Sequence, residues 1–558
     1  MVDSLSAPAT SFVAPPVVAP PIFQPIGVKA IYGMALQGDQ LLAVDPFRGY
    51  LLRLDPKTDH TEILNPRHAA AFERATGIAH WQDRLWISRD HGVYLTPLSE
   101  IQPTLVLTLP YTADGVAVWE NTLYVSCKKA GYIFVFDRDS GQRITQFPAP
   151  GIGIENISVW GDYLWVCDQT EQTVYCLDRA TGELVVKMLT PFPTPTGIAV
   201  PPHTGPDQGT LWVAYTNEEP YVREDPNSEE VPFELTFRDR TLIHPLTYRW
   251  YREAGYCRTN GYLVEMTYAE EIDTLEDTIP LHNVEWRIAF PTHTHRQVVR
   301  TVEPLGLPFQ TVQQNGERVA SFQFDTLEPH ERHLFGWKAL VEVYGIKYQL
   351  TPRQVEAAPP LPPEYGPRYL IDDDELAMDN PLIQAAAREA IGTETNLLRQ
   401  VLSIRDYVYD KLSYAVTPAI ATPDVVLQRG RGSCGEYVGL LLALMRLNGI
   451  ACRTVGRYKC PAQADQPGIY LEPDFNHVWI EFYLPGYGWL PMESNPDDIQ
   501  DGGPYPTRFF MGLPWWHVEM GKGIPFEKLI LPEGSPEVRL GDLAVNHMRF
   551  RILGELAP

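Results

Sequence analysis

Positive charge is scarce in this chain. Its 558 residues carry 45 Lys and Arg against 70 Asp and Glu, a formal net charge of −25, and no basic stretch is interleaved with aromatic residues. Such a surface repels polyanions and anionic bilayers, so nucleic acid and membrane are not expected partners. No run reaches the ~18 apolar residues of a membrane-spanning helix. No Lys or Arg precedes Lys29, so the basic start of a secretory signal is missing. Residues 1–24, rich in Pro and Ala, read instead as a disordered, partly extended tail. Cysteine is sparse: Cys127, Cys167, Cys176, Cys257, Cys434, Cys452 and Cys460, with no Cys-x-x-Cys. An odd, scattered set points to reduced thiols and a cytoplasmic location. Metal spacings are missing too. Asp372–Glu375 lacks the alternation and glycine of a calcium loop, and His293, His295, His330 and His333 have no Cys partners at zinc spacing. No metal or other cofactor is expected.

What is present first is repetition. "YGMALQGDQLLAVDPFRGYLLRLD", "TGIAHWQDRLWISRDHGVYLTPL", "DGVAVWENTLYVSCKKAGYIFVFDRDSG" and "ENISVWGDYLWVCDQTEQTVYCLDRATG" are variants of one unit, and a fifth opens as "TGIAVPP". The equivalent positions Gly33, Gly77, Gly115, Asn156 and Gly197 are 44, 38, 41 and 41 residues apart. A period near 40 that holds short alternating strands between Gly/Asp turns predicts a β-propeller of five or six blades over residues 25–280. It resembles the YVTN/NHL type, since no Gly-His…Trp-Asp pair recurs. A polar insertion near 218–260 interrupts the fifth unit, after which "GYLVEMTY" is expected to restore the missing blade strand.

Residues 281–355 alternate with period two but lack the repeat, which predicts a small β-sandwich. A Pro-rich linker, 356–368, follows. It is expected to make residues 1–280 separable from a catalytic core at 369–500 with a loop-rich extension at 501–558. Within the core, Asn380-Pro381 opens a helix through Ala390. Residues 396–414 carry apolar positions at a helical period.

The chemistry gathers in two segments. Cys434 lies among Gly430, Gly432 and Gly435, directly before an apolar helical run (Val438–Leu447). A helix start stabilises a thiolate through its dipole and unpaired N–H groups. His477 opens a strand in which Val478, Ile480 and Phe482 share one face, and His477, Trp479 and Glu481 the other. A neutral imidazole there can take the thiol proton. Glu481 is excluded as an orienting group because four strand residues place it ~13 Å away. A turn of three or five residues around Pro485–Trp489 would put Glu493 on the His477 face, one diagonal step off. A turn of two or four would face it away. In the three-residue case Asn495 stands directly opposite His477. Glu493, Asn495 and neither all stay open as the third member.

"RGSCGEYVGLLLALMRLNGIACRTVGRY" and "NHVWIEFYLPGYGWLPMESN" resemble the transglutaminase-like core, a branch of the papain-type cysteine enzymes, over roughly residues 370–500. The resemblance implies an α+β catalytic domain, often preceded by a β-sandwich, with Cys434 as nucleophile and His477 as base. Two departures stand out. The crosslinking members carry Trp after the Cys, where Gly435 stands, which favours protease-like or amidase-like relatives. The acid expected sixteen residues after the His is Asp in those families and is Glu493 here. Gln428, six residues before Cys434, occupies the offset at which papain-type enzymes place an oxyanion donor; the Cys434 N–H is the other donor.

The function expected from these residues is cysteine-dependent hydrolysis or acyl transfer at amide or peptide bonds of a protein or peptide, with the propeller as recognition module and its face open to a protein partner. The alternatives are a non-catalytic interaction scaffold and an amide-forming acyl transferase in a biosynthetic pathway.

Overall fold

Turns rich in Gly and Asp cut the first half of the chain into short strands. The computed structural model describes residues 22–224, 233–272, 280–416, 419–473 and 475–558. Most of the expected N-terminal tail and the middle of the polar insertion lie outside the described residues. Four antiparallel four-stranded sheets follow in chain order. They are β1–β4 (Gly33–Gln37, Gln40–Asp45, Tyr50–Asp55, His60–Ile63), β5–β8 (Ala75–Trp81, Arg84–Arg89, Gly92–Pro97, Thr104–Thr108), β9–β12 (Gly115–Trp119, Thr122–Cys127, Tyr132–Asp137, Arg143–Pro148) and β13–β16 (Ile154–Trp160, Tyr163–Asp168, Thr173–Asp178, Leu184–Leu189). A fifth sheet begins with β17 (Pro195–Ala199), β18 (Gln208–Glu224) and β19 (Phe233–Tyr251).

The first strands neighbour one another in cyclic order, β1 to β5, β9, β13, β17 and back to β1. Second strands are therefore buried on both faces. Leu42 and Val44 pack with Ile78, Leu85 and Ile87 of the next sheet, while Leu41 and Ala43 pack with Ala199 and Ala214 of the fifth. The recurring glycines sit where these strands touch. A Cβ on Gly33 would lie 2.6 Å from the Gly77 Cα, and one on Gly77 2.8 Å from the Gly115 Cα. Only glycine permits that backbone approach.

The insertion is not a break followed by a restored blade strand. β18 and β19 pair along their length, and "GYLVEMTY" belongs to β20 (Tyr256–Ile272). β20 pairs with β19 only through Tyr256–Thr259 and continues out of the ring. There it pairs with β25 (His333–Tyr348). Between them run β21 (Leu281–Ala289), β22 (Gln297–Gly306), β23 (Gln310–Gln314) and β24 (Glu317–Leu327). The Pro-rich segment beyond α1 (Pro352–Val355) is packed rather than free: Tyr365, just before α2 (Gly366–Tyr369), lies 4.5 Å ring to ring from Tyr483 and stacks at 5.9 Å on Trp489.

Asn380 caps α3 (Pro381–Ile391) and Asn396 caps α4 (Leu397–Lys411), each side chain accepting a first-turn N–H. Then come β26 (Ser413–Tyr414), α5 (Pro423–Arg429), β27 (Arg431–Gly432) and α6 (Cys434–Leu447). A three-stranded sheet follows, with β30 (His477–Leu484) between β28 (Cys452–Arg457) and β31 (Gly488–Met492). Leu441, Leu444 and Met445 of α6 share a core with Val401 and Ile404 of α4 and Ile480 and Phe482 of β30.

The C-terminal region returns to the sandwich. β29 (Tyr470–Leu471) pairs with β34 (Ala544–Leu556), and β32 (Gly512–Leu513) with β25. β33 (Glu527–Ile530) joins β21, and β34, after α7 (Leu540–Leu543), joins β20 along twelve positions. The sandwich thus faces β22-β25-β20-β34 against β23-β24-β21-β33. It uses strands from both sides of the expected 281–355 span, since edge strands need partners wherever the chain supplies them. Its core residues Tyr268, Trp286, Phe322 and Trp337 are continuous with Trp165 and Val213 of the ring. No helix among the described residues is long and apolar enough to cross a membrane.

Candidate active site

Cys434 is the first residue of α6, and the preceding residues hold it there. The Ser433 side chain caps the helix while the Glu436 carboxylate accepts the Ser433 N–H at 2.8 Å. This reciprocal pair is a capping box. Glu436 is itself buried and fixed by Arg429 at 2.8 Å and by the Ala421 N–H at 2.9 Å. Tyr414 of β26 pairs with Gly432 of β27, which fixes the approach to the thiol.

The hairpin loop between β30 and β31 has three residues, Pro485-Gly486-Tyr487, with Leu484 paired to Gly488 and Ile480 to Met492. Gly486 and Gly488 adopt φ +89° and +95°, the left-handed region that lets so short a loop close. Of the loop lengths open from sequence, this one brings Glu493 to the His477 side. Glu493 Oε1 and Oε2 lie 2.9 and 2.8 Å from His477 Nε2. On its other side His477 acts on the Cys434 thiol, as does the Val478 N–H.

Charge follows geometry. Burial pushes the Cys434 thiol up, but its hydrogen bond to His477, the charge of that ring and the Val478 N–H hold it below the usual thiol range. Burial alone would lower His477; the Glu493 charge and hydrogen bonds to Cys434 and Glu493 raise it instead. Glu493 is held well below the carboxylate range because the His477 and Lys459 charges overcome its burial. A thiolate–imidazolium pair oriented by a carboxylate is the arrangement these shifts favour. Cys434 also keeps 9% of its surface exposed, whereas the other six cysteines are at 0–1%. It is the least buried of the seven thiols.

His517 stands in the loop between β32 and β33. The structure places its Nε2 on Glu493 Oε1, with the ring fully buried and edge-on to Trp479 at 5.0 Å. Two imidazoles around a carboxylate also form a metal-type donor set, with their ligand atoms within 4.8 Å of one another. Here the carboxylate accepts from both rings and from the Ser494 N–H at 3.0 Å, and the Lys459 ammonium stands 3.7 Å away. That ammonium would repel a metal ion, so the cluster is a hydrogen-bonded set around one anion.

The remaining candidates fall elsewhere. Asn495 Oδ1 accepts from the Ser494 hydroxyl at 2.9 Å. Gln428 is exposed in the last turn of α5 and makes none of the contacts that join Cys434, His477 and Glu493. Glu481 is bound to Arg453 at 2.8 Å and to Lys522 in a separate buried network. Sequence reasoning missed Ser433 and Glu436, although Ser-x-x-Glu before an apolar run is a readable cap signal. His517 carried no such signal.

The profile of the Transglutaminase-like superfamily (Transglut_core) matches residues 384–494. No curated protein matches the chain. Among solved structures, a "Putative Cysteine Protease" from Cytophaga hutchinsonii is similar at 16% identity and TM-score 0.38, over 53% of this chain and 93% of that one. Myxococcus xanthus glutaminyl cyclase is similar at 14% identity and TM-score 0.28, over 39% of this chain and 94% of that one. Regucalcin from Agrobacterium tumefaciens, a calcium-binding protein, is similar at 12% identity and TM-score 0.24, over 38% and 92%. The span from α3 to the residues just after β31, with Cys434, His477 and Glu493 inside it, is a transglutaminase-like domain.

Proposed function

We propose that this chain is a cysteine-dependent hydrolase of amide or peptide bonds, working through Cys434, His477 and Glu493. The observation that carries it is the line from the helix-start thiol, the least buried of the seven, through His477 to a buried carboxylate. The Cys434 thiolate would attack the carbonyl carbon, and the oxygen would take up the negative charge beside the Cys434 N–H at the helix start. His477 would pass its proton to the leaving amine as the C–N bond breaks, which leaves a thioester. It would then take a proton from water as that water attacks, releasing the acid and restoring the thiol. An amine in place of water makes the same intermediate an acyl transferase. Gly435, where crosslinking relatives carry Trp, favours water. Tyr414, Ile420 and Phe475 support a protein or peptide substrate. Ile420 lies 3.2 Å from where a Gly435 Cβ would be, Phe475 touches the His477 ring at 6.4 Å, and all three are exposed.

The closed ring of five sheets supports the propeller reading, with its loops as the recognition face for substrate or partner. Seven cysteines, none of them disulfide-bonded, support a reducing compartment such as the cytoplasm. The test is turnover of a peptide-amide library by wild type and Cys434→Ala. Loss of all turnover in the variant is expected, and unchanged turnover would end the proposal. Added amine nucleophiles separate hydrolysis from transfer.

A further inference from the structure

Glu493 is longer by a methylene than the aspartate of resembling enzymes, and a longer side chain has more ways to point wrongly. Several groups besides His477 meet its carboxylate or the ring that binds it. The Ser494 N–H donates to Oε2, His517 Nε2 meets Oε1, Lys459 lies 3.7 Å from Oε1, and Trp479 stacks at 6.2 Å on His477. His517 is the one built in most firmly. Its ring packs edge-on to Trp479 and lies against Trp516, and its Nδ1 is buried without a partner.

The loop that carries it is clamped from the sandwich. Arg296, itself buried, donates from Nη1 to the His517 carbonyl at 2.7 Å and from Nη2 to the Pro514 carbonyl at 2.6 Å. Trp515 Nε1 donates to the Pro191 carbonyl at 2.9 Å, which ties the loop to the ring of sheets as well.

We propose that His517 is a positioning residue for the proposed catalytic line: its Nε2–H holds Glu493 Oε1 so that the carboxylate stays aimed at His477. The inference rests on the functional reading above. Burial pushes His517 down to about 3, so the ring is neutral at working pH and donates through one nitrogen only. A neutral donor fixes the carboxylate without competing as a second full cation for its charge, which stays available to the His477 imidazolium. The titratable groups around His517 are Glu493, His477 and Lys459, with Cys434 beyond His477.

The test is the pH dependence of Cys434 alkylation by iodoacetamide, together with kcat and KM, in the full chain and in His517→Gln, His517→Phe and His517→Met. Gln can donate an N–H to the same oxygen, whereas Phe and Met fill the space without a donor. Phe and Met are expected to move the alkylation profile to higher pH and to lower kcat by on the order of 10–100-fold, as loss of an orienting partner does. Gln should stay within a few-fold of wild type, a rescue that a purely structural role would not produce. A low-pH wild-type profile left unmoved by a folded Phe or Met variant would overturn this inference alone. A wild-type Cys434 with an ordinary thiol profile would overturn it together with the functional reading.

Discussion

Glu493 sits one diagonal step from His477 across the β30–β31 hairpin, with both carboxylate oxygens within 2.9 Å of the His477 Nε2. The three-residue loop makes this possible. One residue more or less would turn Glu493 to the opposite face of the sheet.

Glu493→Gln should therefore keep the fold and lower kcat by about 10²–10⁴-fold, since it removes the charge that stabilises the imidazolium and can select the wrong tautomer. Asn495→Ala should be nearly silent, because the Asn495 carbonyl is engaged by Ser494 rather than by His477. Steady-state kinetics on both variants checks this. A silent Glu493→Gln with a damaging Asn495→Ala would reverse the assignment.

Ser433→Ala removes the cap that sets Cys434 at the helix start. The expected cost is about 1 kcal/mol in chemical denaturation, in line with other N-cap losses. Alkylation of Cys434 should slow as well, because the first turn frays. An unchanged denaturation midpoint would mean that Glu436 and its partners hold the helix start alone.

A fragment of residues 1–280 should not fold as a soluble unit. The cut strips β20 of β25 and β34 and opens the core that Tyr268 and Met266 share with Trp286 and Trp337. Circular dichroism and size exclusion of the fragment decide it, and a monodisperse β-rich species would show that the ring stands alone.

His517 also predicts a pH effect on stability. The unfolded chain takes up its proton near pH ~6.5, while the folded site resists protonation down to about 3. Between those values the unfolded state binds more protons, so this residue makes stability fall as pH is lowered and adds no slope above ~6.5. Wild type should thus lose more stability than His517→Gln between pH 6.5 and 4.5. Parallel melting curves would mean that the ring is not buried in its neutral form.

How far the sequence is legible follows from the distance between the interacting residues. Cys434 with its apolar helix, and His477 with Glu493 on one hairpin, lie in contiguous segments whose periodicity and turn length decide the geometry. The ring of sheets is legible through glycines that recur because neighbouring backbones touch. The sandwich boundaries are not, because β20 and β34 pair across more than 270 residues, and no local pattern marks such partners. His517 is hidden for a related reason. It lies in a loop without periodicity, and its value depends on Glu493 and on Arg296 from another domain.

Site-resolved alkylation reads out whether Cys434 is a nucleophile activated by His477. The folded protein is treated with iodoacetamide at neutral pH, and all seven cysteines are mapped by mass spectrometry, in wild type and in His477→Ala. The expected result is modification of Cys434 while the six buried thiols stay intact, with that modification lost or strongly slowed in His477→Ala. A Cys434 as inert as Cys452 or Cys460 in wild type, or equally reactive without His477, would contradict the account.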